Sequence, residues 1–162
     1  SAVGVQGQHF DAVCGGGAGF VHGGTFSHHS VAAAAGLAVI GIMERERLVE
    51  RADRLGADLG RKLNARFLNH PNVAEIRGVG FLWGIEFVRD KASLQPFPRR
   101  EKFVERLWQN LFNRGFLFYR STGLAGIDGD ALVIGPPYII EEEQIDLMIE
   151  ALERGIEETL AG

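Results

Sequence analysis

Past residue 45 the apolar positions fall into two clear periods. Leu48, Ala52, Leu55, Leu59, Leu63 and Phe67 recur every three or four residues with Arg, Glu and Asp between them. That spacing predicts an amphipathic helix stopped by Pro71. Val73–Ile76 and Val79–Val88 read as two strands separated around Gly78, the second placing Phe81, Trp83, Ile85 and Phe87 on one face with a period of two. After a polar loop with Pro96 and Pro98, Val104, Leu107, Trp108, Leu111 and Phe112 mark another helix, closed by Gly115. Phe116–Tyr119 reads as a short strand, 121–129 as a glycine-rich loop, and Ala131–Ile134 as a strand broken by Pro136 and Pro137. The last helix carries Ile145, Ile149, Leu152, Ile156 and Leu160 on one side, with Glu141, Glu142 and Glu143 at its positive N-terminal end.

The first 44 residues have a different character. They open on a strand-like apolar stretch, Ser1–Gln6, and then turn to glycine: Gly15, Gly16, Gly17, Gly19, Gly23 and Gly24 fall within ten residues. Without a Cβ such a stretch can bring backbone N–H groups close to a ligand; it can equally be a flexible surface linker. From Ser30 the chain reads Val-Ala-Ala-Ala-Ala-Gly-Leu-Ala-Val-Ile-Gly-Ile, apolar on every side, which predicts a buried helix. Ser27 and Ser30 are the expected N-caps. A glycine loop feeding a helix N-terminus favours bound phosphate.

Composition narrows the class. With 46% hydrophobic and 23% charged residues and a net charge of −4, the 162-residue chain is globular, not disordered. The mild acidity offers no basic face for nucleic acid, and no apolar run reaches the roughly 18 residues of a membrane span. A lone Cys14 suits a reducing compartment such as the cytoplasm. Glycine, 22 of 162 residues, is about twice its usual share of roughly 7%. His22, His28 and His29 lack the Cys or carboxylate partners of a zinc site, so no metal is expected.

Four ordered blocks carry a resemblance. Phe20-Val21-His22-Gly23-Gly24-Thr25-Phe26-Ser27-His28-His29-Ser30, followed by Val31–Ala35, is similar to a signature of the class III pyridoxal-phosphate-dependent aminotransferases, of omega-aminotransferase type. Arg77–Glu86, Arg114–Arg120 and Gly129–Ile140 follow in that family's order. The resemblance implies an α/β protein of PLP-dependent transferase fold type I. Residues 1–44 would be the C-terminal edge of the large cofactor-binding domain, and 45–162 the small C-terminal α+β domain. It implies a homodimer with active sites shared across the interface, in which the hydroxyl of Thr25 and backbone neighbours Gly24 and Phe26 bind the phosphate of pyridoxal 5'-phosphate. Arg120, placed between an apolar strand and a glycine-rich loop, is either the candidate to hold a substrate carboxylate or a surface arginine at a strand end.

The same resemblance implies a lysine forming a Schiff base with the cofactor, expected upstream of Ser1. Lys62, Lys91 and Lys102 lack its context and read as surface charges, so this chain alone is expected to be inactive. Where ornithine- and acetylornithine-type members carry an arginine for an α-carboxylate, this chain has Val133. An amine or ω-amino acid donor, with pyruvate or another oxo acid as acceptor, therefore fits better, in a ping-pong reaction. Family members often have Gly and Pro at the positions of His28 and Ser30. The alternatives are an aminomutase, racemase or decarboxylase of the same class, or a truncated chain that only dimerises or binds an anion.

Overall fold

In the computed structural model, residues 4–17, 19 and 23–162 are described. The chain divides into two compact units, Ser1–Glu46 and Arg47–Gly162.

The first unit holds two helices, α1 (Gly7–Cys14) and α2 (Ser30–Arg45). Of the expected strand Ser1–Gln6, residues 1–3 lie outside the described residues and 4–6 form no strand. Helix α1 had no counterpart in the sequence pattern, because it is eight residues long and starts on a glycine without a side-chain cap. Helix α2 begins where its pattern places it, but none of its residues is buried. Among the described residues of its unit the other elements are one short helix and turns. The expected cap is corrected. His29 is the N-cap, its Nδ1 accepting from the Ala32 N–H at 3.3 Å. The Ser27 hydroxyl accepts from Gly24 N–H instead, at 3.0 Å.

The second unit is a four-stranded antiparallel sheet with helices on one face. The strands are β1 (Val73–Val79), β2 (Leu82–Phe87), β3 (Tyr119–Ala125) and β4 (Asp128–Ile134), in the order β1-β2-β4-β3. Helix α3 (Leu48–Phe67) packs on β1, α4 (Phe103–Asn113) packs on β3 and β4, and α5 (Glu142–Ala161) packs against both helices. All six apolar positions that predicted α3 are buried. Ile85 and Phe87 from the sheet, Leu107 and Leu111 from α4, and Ile145, Leu152 and Ile156 from α5 join them in one core. Helix α5 starts with a capping box, Glu141 and Gln144 satisfying each other's backbone N–H groups.

Two sheet expectations are corrected. The β1–β2 break lies at Gly80–Phe81 rather than Gly78, because Gly80 takes the left-handed φ of 53° that the reversal needs. Residues 121–129 are not a loop: β3 and β4 pair from Tyr119↔Val133 to Ala125↔Asp128, leaving a two-residue tip. The glycines serve that hairpin. Gly123, at φ 74°, lies where the register shifts between Thr122 and Ala125, and Gly126, at φ 72°, makes the tip. Phe116–Phe118 precedes the strand as extended chain, with Phe118 buried.

Helix α3 lies unusually close to the β1–β2 hairpin. A Cβ on Gly56 would overlap the backbone of Gly80, and one on Gly60 the ring of Trp83. The indole itself is pinned by Nε1 donating to the Gly80 carbonyl at 2.8 Å.

Asp130 of β4 is 2% exposed and accepts a hydrogen bond from the Val104 N–H at the start of α4. Burial, then the nearby charge of Glu105, pushes its carboxyl up from 3.8 to about 6, against the pull of the Val104 N–H and Arg99; Asp128 adds a smaller push upward.

Gly60→Ala gains roughly 1 kcal/mol of helix propensity yet is expected to lose about 2–4 kcal/mol net through the Trp83 clash. Urea unfolding of the chain measures this, and an unchanged midpoint would contradict the close approach. Asp130 makes folding most favourable below pH 4, where it is neutral folded and unfolded. That stability falls as the pH rises through about 6, by on the order of 2–3 kcal/mol. Asp130→Asn is therefore expected to gain on the native chain between pH 4 and 7, measured by urea midpoints at each pH.

Candidate functional site

Two separate places carry the residues singled out by the sequence. The first is the turn before α2. Ser27 N–H donates to the Gly24 carbonyl at 2.9 Å while Gly24 N–H donates to the Ser27 hydroxyl, closing residues 24–27 into a tight loop. Thr25 and Phe26 stand at its crest, Phe26 83% exposed. Neither their N–H groups nor the Thr25 hydroxyl bonds another described residue. The N–H of Gly24 donates within this loop, to the Ser27 hydroxyl.

The geometry explains both departures in this motif. His28 adopts φ 65°, the left-handed region where glycine is free of cost and an L side chain is not. Ser30 is the first residue of α2, the position where proline's fixed φ is at home. His29 caps the helix, so neither serine needs to. No acidic residue lies in the first turn of α2, at the positive end of this 16-residue helix. Free donors at a helix start fit a phosphate-sized anion.

The second place is the open end of the sheet. Arg120 on β3 pairs with Leu132 of β4, and its guanidinium lies over the Trp108 ring, 5.2 Å from the centroid. It makes no ion pair with a described residue. The nearby carboxylate of Glu105 is bound through both oxygens by Arg99. Burial pushes Glu105 up, but the Arg99 hydrogen bond and charge, with Arg120 adding to them, hold it below its ordinary value. Arg120 thus borders a groove of about 660 Å³ with its donors unclaimed, beside Leu82, Leu117, Tyr119 and Val133. Val133, at the position where ornithine-type members carry an arginine, lines the same groove. Trp108, one of the periodic apolar positions that mark α4, packs against the core only in part. Its contact with Arg120 joins residues twelve apart, which no periodicity displays.

Lys62 is ion-paired to Asp58 and Asp146 on the helical surface, and Lys91 donates to the Leu68 carbonyl. Lys102 precedes α4 in a left-handed conformation. His22 lies outside the described residues. Among those described, no group of three His, Cys, Asp or Glu is placed to hold a metal, and no helix is long and apolar enough to cross a membrane.

A sequence model of the class-III aminotransferases matches residues 1–156. An uncharacterized aminotransferase of Schizosaccharomyces pombe is 42% identical over 138 residues, covering 85% of this chain and 30% of that protein. The putrescine–pyruvate aminotransferase of Pseudomonas aeruginosa is 33% identical over 142 residues, covering 88% and 29%. Among solved structures, a thermostable (S)-enantioselective omega-transaminase from Thermomicrobium roseum superposes with a TM-score of 0.80 at 33% identity, covering 96% of this chain and 33% of that one. A PMP-bound aminotransferase from Vibrio fluvialis gives 0.77 at 30% identity, covering 95% and 32%. The chain spans about 30% of the length of the curated relatives it matches. Over that span its fold is the fold-type-I architecture of these transaminases.

Proposed function

The chain belongs to the class-III aminotransferases, and from that membership we propose that it forms the C-terminal portion of a pyridoxal-phosphate-dependent aminotransferase. The reaction moves an amino group from an amine or ω-amino acid to an oxo acid such as pyruvate, in two half-reactions. Residues 1–44 belong to the end of the cofactor domain and 45–162 to the small domain, in line with the division of the chain near Glu46. The protein works as a homodimer sharing its active sites.

The observation that carries this reading is the exposed crest of Thr25 and Phe26 on the N-terminal end of α2. Thr25 donates its hydroxyl to a phosphate oxygen, the N–H groups of Thr25 and Phe26 add two further donors, and the helix end supplies favourable potential. Ser27 and Gly24 hold that crest in shape. Bound there, pyridoxal phosphate supplies the carbonyl that takes up the amino group and the electron sink for the carbon that loses its proton. The lysine that moves this proton is not among Lys62, Lys91 and Lys102, so the 162-residue chain is inactive by itself. Arg120 receives a substrate carboxylate in the groove at the sheet end. Val133 offers no cation beside it, which disfavours a donor gripped there by an α-carboxylate. The putrescine–pyruvate relative supports a diamine donor and a pyruvate acceptor.

The test uses the longer protein that contains this chain, supplied with pyruvate and a panel of donors. Diamines and ω-amino acids are expected to be best, read as alanine formed; ornithine or acetylornithine as the best donor would overturn the donor class, and no transfer from any donor would overturn the activity. Thr25→Ala is expected to weaken pyridoxal-phosphate affinity about ten- to a hundredfold while leaving donor preference alone. Unchanged affinity would remove Thr25 from the site.

A further inference from the structure

We infer that Trp108 is a positioning residue that holds the Arg120 guanidinium ready for a carboxylate without consuming any of its hydrogen-bond donors. The inference rests on the reading of Arg120 as the carboxylate receptor and adds what sets its pose. A surface arginine is ordinarily held by an acidic partner, as Arg99 is by Glu105 and Arg114 by Glu158. Such a partner occupies the guanidinium edge, where an incoming carboxylate must bind. Arg120 is held instead through its face, over the indole at 5.2 Å. The face carries the attraction to the ring while the edge keeps its N–H groups for a bidentate contact.

The ring is itself fixed from three directions. Trp108 Nε1 donates to the Phe118 carbonyl at 2.8 Å, two residues before Arg120. The indole is therefore tied to the segment that carries the arginine. Phe112, one turn along α4, stacks on the indole at 5.2 Å with planes 11° apart. Part of the indole packs against the core. Glu105, one turn before Trp108 on α4, is the acidic group that could draw the guanidinium off the ring, and Arg99 occupies both of its oxygens. Leu82, Leu117, Phe118, Tyr119, Val133 and Gly135 line the rest of the groove. A ligand seated there presents one carboxylate to Arg120 and hydrocarbon to the walls.

The experiment measures kcat and KM of the full-length enzyme for pyruvate and for an amine donor without a carboxylate, in Trp108→Leu, Trp108→Phe, Arg120→Gln and the Trp108→Leu/Arg120→Gln double variant. Trp108→Leu is expected to raise KM for pyruvate about three- to tenfold, with kcat and the amine KM unchanged. Trp108→Phe, which keeps an aromatic face, is expected to restore most of the loss. The double variant should be no worse than Arg120→Gln alone, because the ring acts only through the arginine. A Trp108→Leu enzyme equal to the native one on pyruvate, or impaired equally on both substrates, would overturn the positioning role. If Arg120→Gln leaves the pyruvate KM unchanged, the carboxylate reading of Arg120 fails, and this inference with it. If Arg120→Gln raises that KM and Trp108→Leu does not, only the role of Trp108 fails. Should Trp108→Leu not fold, the part of the tryptophan emission lost in Trp108→Phe serves as readout. Pyruvate is expected to change it in the native enzyme and not in Arg120→Gln, and no change in the native enzyme would overturn the inference.

Discussion

The contact between α3 and the β1–β2 hairpin is the constraint on which the second unit depends. Two glycines one turn apart, Gly56 and Gly60, let the helix settle onto the Gly80 backbone and the Trp83 ring at a depth no larger residue permits. That depth fixes β2 relative to the helical layer. Strand β4 is then located by its ladder to β2, and β3 by its ladder to β4. Arg120 stands at the end of this chain of registers, so its position is set by a packing contact near the other edge of the sheet. The substitution cost at a helix surface thus belongs to the geometry of the site as much as to the core.

Two different devices hold charge in this protein. Surface helices are laced by ion pairs such as Arg54–Glu142, which are exposed and weak. Near the groove the arrangement is more specific. Arg99 neutralises Glu105, Asp130 is buried beneath the start of α4, and Arg120 is left with an aromatic ring for a neighbour. Among the described residues, the acids Glu105 and Asp130 are tied to other groups, and Arg120 in the groove lining has no ion-pair partner. Around Thr25 the logic is complementary, with donors at a helix end and no acid in the first turn.

The sequence was most legible where one face of an element is buried. Helices α3 and α5 and strand β2 follow from period alone, because burial on one side imposes that period. It was least legible where glycine dominates. Glycine carries no period, so the β3–β4 hairpin read as a loop although Gly123 and Gly126 each serve the hairpin's register or tip. Helix α2 is apolar on every side, and its start was legible while its neighbours were not: the described part of its unit holds one other short helix and turns. The Thr25 turn was visible as a motif, but the engagement of Gly24 with Ser27 and the capping by His29 required coordinates. Trp108 carried a signal for the core only, since a side chain that is half core and half platform has the spacing of the core.

The edge position of β3 has an evolutionary consequence. Its first pairs, Tyr119↔Val133 and Arg120↔Leu132, are secured by the fully buried Leu132, whereas the register shift at Gly123 lies beyond them toward the tip. Residues gained or lost past Gly123 change the reach of the hairpin without sliding Arg120 along its partner strand. The fold therefore decouples what the tip can touch from where the arginine sits. A descendant could remodel one while inheriting the other intact.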